Sequence, residues 1–146
     1  MVTVKEGKLA KILIIDDDPG MRRTASRILT GAGHEVIEAP DGLEGVSLFR
    51  TNHPDIVVTD ILMPKKEGIE TILDLRRENP STLILVISGG PIHPGGSRVP
   101  LDYLGMAKQL GADGVLAKPF RAADLLREID NLLGLGAPGA GGAEIK

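Results

Sequence analysis

Lys11-Ile-Leu-Ile-Ile-Asp-Asp-Asp-Pro-Gly20 is a short apolar run that stops abruptly in three acids and a turn. Its apolar part is too short for a helix and does not alternate with polar residues, so both of its faces are expected to be buried, as in a parallel strand. Pro19 suits the first position of a helix, because its missing N–H would have no partner there in any case. Met21, Ala25, Ile28, Leu29 and Ala32 then recur at helical spacing until Gly33 ends the pattern. The stretch therefore predicts one β-α unit with acids at the junction.

The same unit recurs along the chain. Residues 35–39 form a second short strand, Asp41 can cap the next helix, and Leu43, Val46 and Phe49 line one face of it before residues 52–54 break it. Residues 55–59 carry Ile56-Val57-Val58 and end in another acid, Asp60. Ile69, Ile72, Leu73 and Arg76 predict a third helix closed by Asn79-Pro80, and residues 83–87 a fourth strand ending at Ser88. Residues 89–100 hold four glycines and three prolines, a longer loop than compact α/β domains usually need, which points to a functional or mobile segment. Leu101, Leu104 and Ala107 begin a fourth helix that Gly111 stops. Residues 114–117 are a fifth strand, and Lys118-Pro119-Phe120 leads into a last helix with Ala122, Leu125, Leu126, Ile129, Leu132 and Leu133 on one stripe.

Five alternating units predict an α/β fold, a doubly wound five-stranded parallel sheet with five helices and right-handed crossovers. The expected domain covers residues 10–133, after an N-terminal extension of residues 1–9 and before a flexible Gly/Ala-rich tail of residues 134–146, with no output domain. At 146 residues one domain is expected. Phe49, Tyr103 and Phe120 are the only aromatics, which leaves no platform for stacking a flavin or unpaired bases. A formal charge of −3 gives no broad basic footprint for nucleic acid. There is no cysteine for a disulfide, a thiol nucleophile or a thiolate metal site. No apolar run reaches the length of a membrane span, so a cytoplasmic location is expected, with no nucleic acid and no membrane among the partners.

In doubly wound sheets ligands bind beyond the carboxyl ends of the strands, where strand order reverses. Asp16, Asp17 and Asp18 follow the first strand, Asp60 the third, Ser88 the fourth and Lys118 the fifth, and all are expected on one rim. Clustered carboxylates repel one another unless a hard divalent cation with oxygen ligands compensates them, and Mg²⁺ fits best. One carboxylate could then attack phosphorus while the cation and the Lys118 ammonium neutralise the equatorial oxygens, with Ser88 donating one hydroxyl hydrogen bond. Taken singly, each residue has a plainer reading. Asp16 to Asp18 could cap a helix, Asp60 could be a loop acid, Lys118 a solvated lysine and Ser88 part of an ordinary Ser-Gly turn.

Taken together, Ile15-Asp16-Asp17, Asp60-Ile-Leu-Met-Pro64, Ser88-Gly89 and Lys118-Pro119-Phe120 resemble the signature of response-regulator receiver domains of two-component systems, over roughly residues 11–133. The resemblance implies a flavodoxin-like strand order 2-1-3-4-5 and a single-domain, chemotaxis-type response regulator. It implies that Asp60 is the phospho-acceptor, that Asp17 binds Mg²⁺ directly and Asp16 largely through water, and that the backbone carbonyl of Leu62 completes the protein ligands. Ser88 and Lys118 would contact the phosphoryl group, and the Lys118-Pro119 bond would be cis. The donor would be a phosphohistidine of a histidine kinase or histidine phosphotransfer protein, and the output a downstream protein target or a phosphoryl relay, from a monomer or weak dimer. Such a protein is no enzyme beyond its own phosphorylation and slow dephosphorylation.

Three departures from that family stand out. Val115 occupies the place of the usual aromatic switch residue, the loop of residues 89–100 is longer than usual, and neither Leu62 nor Gly90 can orient water toward an acyl phosphate. Slow self-dephosphorylation is the expected consequence. Competing readings are an aspartyl-nucleophile phosphatase of the haloacid-dehalogenase type, which expects an acidic pair where Ser88-Gly89-Gly90 stands, and a flavodoxin-like electron carrier, whose phosphate loop should be rich in Ser, Thr and Gly where Asp16 to Asp18 would repel the phosphate. A binding-only receiver is a third. His34, His53 and His93 lack ligand spacing and are expected at the surface.

Overall fold

The computed structural model describes residues 9–60, 67–88, 109 and 111–134. Five strands, β1 (Lys11–Ile15), β2 (Glu35–Ala39), β3 (Ile56–Asp60), β4 (Leu83–Ser88) and β5 (Gly114–Ala117), form one parallel sheet in the order β2-β1-β3-β4-β5. Four helices are described: α1 (Pro19–Gly31), α2 (Gly42–Asn52), α3 (Glu67–Glu78) and α4 (Ala122–Leu132). The helix expected to begin at Leu101, the loop of residues 89–100 and residues 135–146 of the tail lie outside the described residues. The expected α/β class, strand order and alternation are what forms.

Strand pleating explains why the apolar runs are continuous: successive side chains point to opposite faces, and both faces are covered. Leu13, Ile15, Val57, Ile84 and Val86 pack with Val46, Phe49, Ile72 and Leu75 under α2 and α3. Ile12, Ile14, Ile56, Val58, Leu85 and Ile87 pack with Ala25, Leu29, Leu125 and Ile129 under α1 and α4. Each Val, Leu, Ile or Phe among these side chains contributes about 1.5–3 kcal/mol by leaving water. Gly45 of α2 lies so close to β1 that a Cβ there would stand 2.5 Å from Ile15 Cδ1.

Several expectations about single residues are corrected, Ala32 just after α1 and Leu73 of α3 being exposed although they fit the apolar pattern. Leu43 is 83% exposed, because the buried stripe of α2 runs through Gly42, Gly45, Val46 and Phe49 and leaves the neighbouring position outside. Ala122 is likewise exposed at the start of α4, whose buried stripe rests on Leu125 and Ile129. His34 is buried rather than at the surface, since its Nδ1 accepts the Ala10 N–H at 3.0 Å just before β1 enters the sheet. His53 is exposed, as expected, and closes α2 in the left-handed conformation, φ 51°; His93 lies outside the described residues.

The amino-terminal end of the sheet is held by Arg76 of α3. Its Nε donates to Gly111 O at 2.9 Å, its Nη1 to Pro80 O and Thr82 O, and its Nη2 to Asp113 Oδ2 at 2.6 Å. Asp113 Oδ2 also accepts the Ile84 N–H at 2.8 Å. Gly111 makes the approach possible, with φ at +119° and a would-be Cβ 2.9 Å from Arg76 Nε.

Candidate functional site

The carboxyl ends of β1, β3 and β5 bring the polar residues together. In the sheet Ile15 pairs with Thr59, Asp60 with Ile87, and Ser88 with Ala117, so Asp16, Asp60 and Lys118 emerge from one edge around the β1/β3 switch point. Carboxylate oxygens of Asp16, Asp17 and Asp60 lie within 4.8 Å of one another. Asp16 and Asp60 are buried and Asp17 is exposed. Lys118 Nζ stands 3.0 Å from Asp60 Oδ2 and 3.8 Å from Asp16 Oδ2. The Lys118-Pro119 bond is cis.

The three consecutive acids divide their work. Asp18 caps α1, its Oδ1 accepting from Gly20 N at 2.9 Å and Met21 N at 3.4 Å, so the plain capping reading holds for this residue. Asp16 turns inward, with one oxygen accepting the Asp18 N–H at 2.9 Å. Burial pushes its carboxyl up to about 6, reinforced by the Asp60 and Asp17 charges and opposed by that backbone hydrogen bond and by Lys118. Ser88 ends β4 at the same edge, but its side chain, like all of Leu62, lies outside the described residues.

One contact was not foreseen. Arg22 of α1 donates from Nη1 to the main-chain oxygen of Asp16 at 2.7 Å and from Nε to Glu38 Oε1 at 3.2 Å. The available signal was an arginine one turn beyond Asp18, but nothing in the sequence pairs it with an acid on β2.

Among the described residues, three carboxylates face one ammonium, and the raised Asp16 carboxyl expresses above all the burial of that side chain. An all-oxygen donor set of this kind suits a hard divalent cation. In the metal-free protein the protonated form of Asp16 is favoured by folding. Its contribution to stability is complete below the unfolded value of 3.8 and is lost as pH rises through about 6. Without metal, stability should therefore fall between about pH 4 and pH 6, and Asp16→Asn should gain about 1 kcal/mol at pH 7, a figure discounted for water at the open rim. Urea melts at both pH values check this; an Asp16→Asn variant less stable than wild type at pH 7 would contradict it.

A sequence profile described as the response regulator receiver domain matches residues 12–130. The chain belongs to the response regulator receiver family. Among solved structures, this receiver is similar to a CheY-like receiver domain protein from Methanospirillum hungatei, with TM-score 0.76, 27% identity, and 86% of this chain and 94% of that one covered. It is also similar to the chemotaxis protein CheY4 of Vibrio cholerae, with TM-score 0.74, 28% identity, and 85% and 98% covered. Among curated relatives, a probable transcriptional regulator ycf27 of Cyanophora paradoxa is 34% identical over 123 residues, 84% of this chain and 48% of that protein. The chain spans about half the length of the curated relatives it matches. Receiver domains bind Mg²⁺ at an acidic pocket, and the Asp16, Asp17 and Asp60 cluster of this one could hold a metal. No helix among the described residues is long and apolar enough to cross a membrane.

Proposed function

We propose that this receiver accepts a phosphoryl group on Asp60 from a phosphohistidine and thereby switches a protein contact or passes the group on. The observation that carries the reading is the Lys118 ammonium, from the end of β5, 3.0 Å from Asp60 Oδ2 in an acidic cluster built from the ends of β1 and β3. An Asp60 carboxylate oxygen forms the new bond to phosphorus, the phosphorus–nitrogen bond to the donor imidazole breaks, and the leaving nitrogen keeps the electron pair. Lys118 then meets a phosphoryl oxygen in place of the carboxylate oxygen it now holds, which offsets charge where it accumulates. Asp16, Asp17 and Asp60, with the backbone carbonyl of Leu62, would hold Mg²⁺, Asp16 mainly through water. Bound there, the cation neutralises phosphoryl oxygens during transfer. Ser88 would donate to the same group.

Phosphorylating the protein with phosphoramidate and reducing the product with borohydride tests the assignment, because reduction of an acyl phosphate converts aspartate to homoserine. Homoserine at position 60 supports it, and homoserine confined to position 16 or 17 contradicts it. Once formed, the acyl phosphate should persist for minutes or longer in buffer with Mg²⁺, since neither Leu62 nor Gly90 has a side chain that orients water. A lifetime of seconds, followed by phosphate release, would contradict that expectation.

A further inference from the structure

We propose that Arg22 is a positioning residue for the acidic cluster, and that Glu38 is what allows it to serve. The inference rests on the proposed metal-dependent reading of the site. Arg22 sits one turn into α1 and half-buried, with side-chain exposure of 18%. Its Nη1 donates to the Asp16 main-chain oxygen at 2.7 Å, while the Asp16 N–H donates to Ala39 O at 3.1 Å. The peptide groups on both sides of Asp16 are thus tied, one to α1 and the other to β2. The Asp16 side chain is tied as well, through the Asp18 N–H at 2.9 Å. The residue where β1 becomes a loop therefore has little freedom left.

The choice of the main-chain oxygen matters chemically. A guanidinium on the carboxylate oxygens would compete with a cation for the same lone pairs, whereas on the carbonyl it orients the residue and leaves a carboxylate oxygen to the site. Glu38 completes the arrangement by accepting from Arg22 Nε at 3.2 Å, which offsets the guanidinium's positive charge. Two directions of hydrogen bonding from one planar group are needed, and lysine cannot supply both.

Charge and positioning predict opposite signs, which makes the idea testable. If Arg22 mattered only as a nearby cation, removing it would tighten Mg²⁺ binding. If it positions Asp16, removing it weakens binding, by about tenfold for loss of a group that orients a ligand. The experiment titrates metal-free protein with MgCl₂ by calorimetry for wild type, Arg22→Ala, Arg22→Lys, Glu38→Gln and Arg23→Ala, with a thermal melt on each. Arg23 is the neighbouring exposed arginine, whose loss removes a charge and, among the described residues, no side-chain hydrogen bond or ion pair. The expected order is tenfold weaker binding for Arg22→Ala, with part of the loss recovered by Arg22→Lys. Glu38→Gln should weaken binding severalfold because the released guanidinium can turn to the carboxylates, and Arg23→Ala should leave it unchanged or tighter. Unchanged or tighter binding in folded Arg22→Ala overturns the proposal. Should Arg22→Ala not fold, Glu38→Gln decides in its place, and wild-type affinity there overturns the proposal. Absence of Mg²⁺ binding by wild type would instead overturn the functional reading itself.

Discussion

Lys118→Ala should slow phosphoryl transfer to Asp60 by about a hundred- to a thousandfold at saturating Mg²⁺, the usual cost of deleting one preorganised charge-stabilising donor. Lys118 is the one cation within 4 Å of Asp60 among the described residues, and its side chain is only 15% exposed. Its head group is poorly solvated, so its attraction for a developing phosphoryl charge is weakly screened. The same substitution should leave Mg²⁺ affinity equal or tighter, because the Asp16 and Asp60 carboxylates lose a competing ammonium. Rate and affinity thus move apart. Rapid-quench measurements with acetyl phosphate, beside an MgCl₂ titration, check both; a rate within fivefold of wild type would reduce Lys118 to a structural ion pair.

Arg76→Ala should destabilise the protein by about 3 kcal/mol, far from the site and for a different reason. The guanidinium satisfies the carbonyls of Gly111, Pro80 and Thr82 and pairs with Asp113, joining α3, the turn into β4 and the turn into β5. Truncation would strand those oxygens in a partly buried corner, and leave Asp113 holding Ile84 N alone. Arg76→Lys should recover less than half of the loss, since an ammonium lacks the planar fork. Arg77→Ala is the comparison: that side chain is 75% exposed and, among the described residues, paired only with Asp74, so its loss should cost less than about 0.5 kcal/mol. Urea melts that put the Arg76→Ala loss below 1 kcal/mol would contradict the clamp.

Much of this architecture is legible in the sequence because parallel strands buried on both faces leave an unmistakable mark. Runs such as Ile12 to Ile15 and Ile56 to Val58 fix strand positions, and the acid or lysine at each run's end falls on one edge once the strands are parallel. Asp16, Asp17, Asp60 and Lys118 are expected on one rim for that reason, and the structure brings them together there. Leu43 was misplaced because a three-residue apolar spacing does not say which side of the stripe its first member occupies, and two glycines contribute to the buried stripe of α2 without appearing apolar. His34 was misplaced because its burial depends on a partner 24 residues earlier, the Ala10 N–H. Arg22 and Arg76 act on main-chain oxygens, and a carbonyl acceptor carries no signature in the sequence.

The most direct test of the central claim is intact mass after incubation with acetyl phosphate, with and without Mg²⁺, for wild type beside Asp60→Asn. A gain of one phosphoryl group by wild type alone, and only with Mg²⁺, is the predicted result. A wild type that stays unmodified, or an Asp60→Asn variant that gains the same mass, would contradict the account and leave a receiver that works by binding alone.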